Sequence, residues 1–88
     1  MRTIYKYPLE VQDEQILLAK RGAQWLSVGA DPNGQLCAWA IVESDAKEVE
    51  YLFSMRGTGH PCSLHKIDLL GTVCIGPFVW HIFVCRLD

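Results

Sequence analysis

The densest collection of reactive groups in this chain is His60-Pro61-Cys62-Ser63-Leu64-His65. Zinc would take three or four such nitrogen and sulfur donors in a tetrahedral arrangement. Cys74, His81 or Cys85 would complete a set only if the fold converged on them, and without a Cys-x-x-Cys pair the spacing alone does not make a site. The same segment offers a thiol-enzyme arrangement, with Cys62 as nucleophile, His60 or His65 as base and Asp68 as orienter. That chemistry needs a lowered thiol pKa, hydrogen-bond geometry and an oxyanion donor pair, none of which follows from spacing. The expectation is therefore a structural cysteine in a proline-bounded loop, with no catalytic residue, no metal ligand and no cofactor.

Just upstream, Arg56-Gly57-Thr58-Gly59-His60 would make a backbone nest, its glycine amides and Thr58 hydroxyl approaching a phosphate while Arg56 supplies charge. A small nucleotide would suit it, with a Trp or Tyr stacking on the base. The run is neither a Walker loop nor a dinucleotide fingerprint. Tight-turn geometry, with glycine supplying the required φ, competes with the nest. A second candidate surface is the acidic run, where Glu43, Asp45, Glu48 and Glu50 stand against Lys47 for a local charge of −3. It would meet a basic partner, and replacing Glu48 and Glu50 by alanine should weaken such a complex; a solvated hairpin loop is the alternative.

The elements that must position these residues are strands. Residues 2–7 are rich in β formers and end at Pro8, as expected near a sheet edge. Val11–Lys20 is expected to be a turn followed by a strand. Residues 24–28 predict a short strand with Leu26 and Val28 on one face and Trp25 on the other, and Asp31-Pro32-Asn33-Gly34 is a strong turn signal. The following strand, 35–43, places Leu36, Ala38, Ala40 and Val42 opposite Cys37, Trp39 and Ile41, with both faces at least partly covered. Val49, Tyr51, Phe53 and Met55 alternate next, residues 57–68 form a long loop, and strands over 70–75 and 78–85 meet at Gly76-Pro77. In the last strand both faces are apolar, which fits either a central strand covered inside the monomer or an exposed strand joining a neighbour by β-augmentation. Regular short strands with turn signals predict an all-β domain spanning 1–88, a small antiparallel sandwich or partly open barrel of about six or seven strands.

Half of the 88 residues are apolar, enough for one core and no second domain. No apolar run approaches the length of a membrane helix, and the first residues lack the apolar stretch of a secretory signal. The expected setting is cytoplasmic, with Cys37, Cys62, Cys74 and Cys85 reduced and no membrane partner. A net charge of −2 removes the broad attraction shown by nonspecific nucleic-acid binders.

Ile4-Tyr5-Lys6-Tyr7-Pro8-Leu9, Gly57-Thr58-Gly59-His60-Pro61 and Gly71-Thr72 through Gly76-Pro77-Phe78-Val79-Trp80-His81 together resemble a family of short uncharacterised proteins frequent in phages and prophages. The resemblance spans nearly the whole chain and implies a setting, the cytoplasm of a bacterial host, with no catalytic assignment to carry over. It suggests a noncatalytic accessory protein that inhibits a host antiphage-defence component by binding it. The contact residues would be Glu43, Asp45, Glu48 and Glu50 and the loop Arg56, Gly57, Thr58, Gly59, His60 and Pro61. The alternatives are an oligomeric sponge for a nucleotide signal, or a phage structural or assembly subunit.

Overall fold

A computed structural model describes residues 1–87 as two packed antiparallel sheets. Seven strands follow one another: β1 (Arg2–Pro8), β2 (Glu14–Lys20), β3 (Gln24–Ala30), β4 (Leu36–Glu43), β5 (Glu48–Gly57), β6 (Leu69–Ile75) and β7 (Phe78–Arg86), with one 3-10 turn at Lys66–Asp68. One sheet has the order β1-β4-β3 and the other β2-β5-β7-β6. The all-β sandwich expected from the alternating pattern is the fold. No helix among the described residues is long and apolar enough to cross a membrane.

Alternation places the core. Leu36, Ala38, Ala40 and Val42 of β4 are all buried, and Tyr51, Phe53 and Met55 of β5 face them from the other sheet. Trp25 is the hub between the layers, its ring 4.9 Å from Phe53 and 5.3 Å from Tyr51, both edge-on. Edge-to-face contact suits the ring quadrupoles and adds to the area buried. The indole nitrogen of Trp25 is buried with no hydrogen-bond partner among the described residues, so Trp25 contributes area and shape here rather than a polar contact.

β3 departs from expectation. Its register against β4 shifts between Trp25 and Ser27, a bulge that inserts Leu26 as an extra residue. Trp25 and Val28 therefore both pack against the core, while Leu26 is 47% exposed instead of sharing the face of Val28. β6 carries a second bulge between Leu69 and Gly71. A Cβ on Gly71 would lie 3.0 Å from Val28 Cγ1, so the missing side chain lets the β6 edge close against β3.

The β3–β4 hairpin is organised by Asp31, whose side chain is only 4% exposed. Oδ1 accepts the backbone N–H groups of Asn33 (2.8 Å) and Gln35 (2.9 Å), and Oδ2 accepts from Lys6 Nζ at 2.9 Å. Gly34, at φ +81°, takes the left-handed position that the Asn-Gly signal predicted. The Cys37 thiol, buried against the same carboxylate at 3.9 Å, is pushed up in pKa by burial and then by the neighbouring charge.

β7 lies between β5 and β6 and is hydrogen-bonded on both sides. It is the central strand of its sheet, with Ile82 buried, and it has no open edge on which β-augmentation could occur. Its doubly apolar sequence reflects that central position.

A candidate binding surface at one end of the sandwich

The loop after β5 and the turn between β6 and β7 meet because the β5–β7 register sets Gly57 opposite Trp80, while β6 pairs Ile75 with Phe78. Gly76, at φ +57°, fills the first central position of the tight β6–β7 turn, where a type II′ geometry demands glycine. The strand that follows begins with Phe78, 60% exposed and 6.1 Å from the Trp80 ring. His60 approaches Trp80 from the loop side at 6.2 Å. Between Gly57, Thr58 and His60 on one side and Pro77, Phe78 and Trp80 on the other lies a pocket of about 210 Å³.

Side chains on both sides fix the loop, adding to the backbone hydrogen bonds from Thr58 N–H to Val79 and from His60 N–H to Gly57. His81 accepts or donates at both ring nitrogens, Nε2 standing 2.9 Å from Thr58 Oγ1 and Nδ1 3.0 Å from Thr72 Oγ1. One of these nitrogens carries the proton in the neutral ring, and a hydroxyl can donate or accept as either requires. On the other side the His60 ring packs directly over Gly57, where a Cβ would come within 2.7 Å of Cε1. Gly57 thus serves close approach, whereas Gly59, at φ +89°, serves turn geometry. Replacing Gly57 by alanine should cost little stability, about 1 kcal/mol or less, because an exposed ring at the end of a side chain can move aside. It should nevertheless lift His60 from Trp80, which NMR would show as a shift of the His60 Cε1–H and Trp80 indole N–H resonances. Unchanged shifts would contradict the close packing.

Arg56, offered as the charge of a phosphate nest, is turned elsewhere. Its Nη1 donates to the carbonyls of Asp13 (3.1 Å) and Met55 (2.9 Å), and Nη2 lies 3.7 Å from Glu14 Oε2. The pocket is consequently aromatic and glycine-lined, with its nearest arginine committed to the β2 end.

The acidic residues lie at the far end of β5, about 30 Å away at the usual rise per strand residue. There the chain's amino terminus is 3.4 Å from Glu43, Arg2 is opposite Glu43, and Lys20 is opposite Glu48. Arg21 donates its backbone N–H to Lys47 at 2.7 Å. The negative charge counted along residues 43–50 is therefore interleaved in space with cationic neighbours, and this end does not form one surface with the Gly57–Pro61 loop. Cys62 and His65 remain exposed, and no three His, Cys, Asp or Glu side chains gather to hold a metal ion among the described residues.

A larger depression of about 300 Å³ opens on the other side of the β6–β7 hairpin, between Leu9–Val11, Gln35, Leu36 and residues 73–75. Its Gln35 amide is already bonded to the Leu9 and Leu36 carbonyls, at 3.0 and 3.1 Å, which ties the β1–β2 loop to the β3–β4 hairpin. Phe78, by contrast, is largely exposed beside its pocket. Sequence punctuation had marked the Gly57–Pro61 loop, but Phe78, Trp80 and the Thr58–His81–Thr72 bridge became part of the site only through strand register.

These features define a small all-β sandwich with an exposed aromatic end. The chain belongs to a family described as a domain of unknown function, DUF7352, whose model matches residues 1–87. No curated protein and no solved structure matches it.

Proposed function

We propose that this protein is a noncatalytic binding protein that holds a protein partner at the Phe78 end of the sandwich. The observation that carries this reading is Phe78 itself, a largely exposed aromatic ring beside a pocket framed by His60, Trp80 and the Gly57–Thr58 backbone. Exposed aromatics beside a pocket are what interface anchors look like, because a ring buries much area for little conformational entropy. A specific complex needs about 1,000 Å² or more of total buried surface, more than one aromatic ring supplies, so the contact would extend over the loop 57–61 and the neighbouring 300 Å³ depression. The resemblance to short phage and prophage proteins supports a host-directed role, in which binding blocks a component of bacterial antiphage defence.

A nucleotide signal is the second reading, favoured by the same shelf of His60, Trp80 and Phe78, on which a base would stack. The engagement of Arg56 with Asp13, Met55 and Glu14 leaves that reading without its expected phosphate cation. Tagged wild-type protein and a Phe78→Ala variant, incubated in parallel with bacterial lysate at low and moderate salt, separate the two. A host protein retained in fixed stoichiometry by the wild type and lost by the variant supports protein binding. Equal retention by both would remove the Phe78 end, and a nucleotide as the sole retained species in native mass spectra would favour the sponge.

A further inference from the structure

We propose that two copies of this chain pair through β2, antiparallel across a two-fold axis at Leu17, joining their four-stranded sheets into one of eight strands. β2 is the outer strand of its sheet. Arg21 donates its backbone N–H to Lys47 and Asp13 accepts from Met55, so the odd-numbered positions of this stretch face β5. By the alternation of an antiparallel ladder, the backbone groups of Glu14, Ile16 and Leu18 face away from it.

The other outer strands are protected along their length, whereas β2 carries charge only at its two ends, Glu14 and Lys20. β1 carries Arg2, Lys6 and Pro8, the charged and proline devices that discourage edge pairing, while β3 and β6 are bulged and closed against each other at Gly71 and Val28. β2 is seven residues long with no proline and no bulge, and its solvent face presents Ile16 and Leu18 at 59% and 58% exposure. Such an edge is an open template for another strand.

The strand's own sequence names the occupant. In Glu14-Gln15-Ile16-Leu17-Leu18-Ala19-Lys20, a two-fold axis at Leu17 sets Glu14 opposite Lys20 of the second copy and Ile16 opposite its Leu18. Opposite charges and apolar pairs facing across strands each favour the pairing. A two-fold axis at Ile16 or Leu18 would also keep the faces matched, yet it would set Glu14 against Leu18 or Lys20 against Ile16 and lose both ion pairs. A seven-residue ribbon buries less than the roughly 800 Å² per partner of a standard interface, so the pair should form and separate with concentration. Because the strands are antiparallel, the two Phe78 ends would point in opposite directions, making the pair bivalent.

Sedimentation velocity from about micromolar to about millimolar protein tests this without any host partner, so its outcome is independent of the binding reading above. The expected result is a mass that climbs from one 9.9 kDa chain toward two. Leu18→Pro deletes an outward N–H at an edge position where proline is tolerated, and should remain monomeric throughout with an unchanged circular dichroism spectrum. Should that variant misfold, the charges decide: Lys20→Glu should weaken association at least about tenfold and the double exchange Glu14→Lys with Lys20→Glu should restore it. A wild type that stays monomeric, a dimer indifferent to the charge variants, or open-ended polymers would each overturn two-fold pairing through β2.

Discussion

Replacing Phe53 by alanine is expected to remove about 3 to 5 kcal/mol of stability, the loss typical of truncating a fully buried aromatic ring. An 88-residue domain has in total about 4 to 13 kcal/mol to lose, so this one change should leave the fold marginal or unfolded at room temperature. Phe53 has no solvent exposure and stands perpendicular to Trp25 at 4.9 Å, in the core cluster that draws residues from both sheets. Its removal opens a cavity that neither sheet can close alone, since β5 is held by β2 and β7 on its two sides. Urea unfolding followed by Trp fluorescence measures the effect. A loss under about 1 kcal/mol would mean that the layers do not depend on this cluster.

Asp31 should be the polar counterpart of Phe53, and its loss should be the most damaging polar substitution in the chain. Alanine there removes the acceptor of the Asn33 and Gln35 amides, two contacts that close the β3–β4 turn, and the partner of Lys6, the contact that joins this turn to β1. The Lys6 ammonium is the chief cause holding the Asp31 carboxyl below its usual pKa, and the Gln35 amide adds to it. A depressed folded-state pKa contributes stability above the unfolded carboxylate value, about 3.9, and loses it as pH falls through the lower folded value. Lys6, raised chiefly by its hydrogen bond to Asp31, contributes below the unfolded lysine value and loses that contribution as pH rises through its higher folded value. The pair therefore acts between these limits. Asp31→Asn keeps an oxygen for the two amides and forfeits the charge, so it should flatten the acid limb of a stability–pH curve. Asp31→Ala should also lower the melting temperature by several degrees near neutral pH. A curve for Asp31→Asn parallel to wild type below pH 4 would show that another carboxylate governs acid unfolding.

Much of the fold was legible because burial in a sandwich follows a period of two. The buried sets Leu36, Ala38, Ala40, Val42 and Tyr51, Phe53, Met55 are evenly spaced along their strands, and Asp31-Pro32-Asn33-Gly34 marks its own turn. The facing of β3 departs from its alternation because a bulge shifts the phase by one residue and nothing in Trp25-Leu26-Ser27 announces it. The doubly apolar β7 was ambiguous since a central strand and an interface strand need the same residues, and only the strand order β5-β7-β6 separates them.

At the site, glycine and proline disclosed both loops but not their meeting, which depends on Gly57 lying opposite Trp80. Arg56 alternates with the inward Met55, so its side chain leaves on the opposite face toward the β2 end, away from the loop whose sequence adjoins it. The acidic run looked electronegative because sequence counts ignore neighbours across the sheet, and those neighbours are the amino terminus, Arg2 and Lys20. Linear proximity was informative about turns and misleading about charge.

The central claim is that Phe78 anchors a protein partner, and the most direct measurement is a calorimetric titration of the recovered host protein with wild type and with Phe78→Ala. A centrally packed aromatic anchor contributes about 2 kcal/mol or more, which corresponds to a loss of affinity of about thirtyfold. That loss, with the melting temperature of the variant unchanged, is the predicted result. Affinities equal within about twofold would contradict the account and place the binding surface elsewhere on the sandwich.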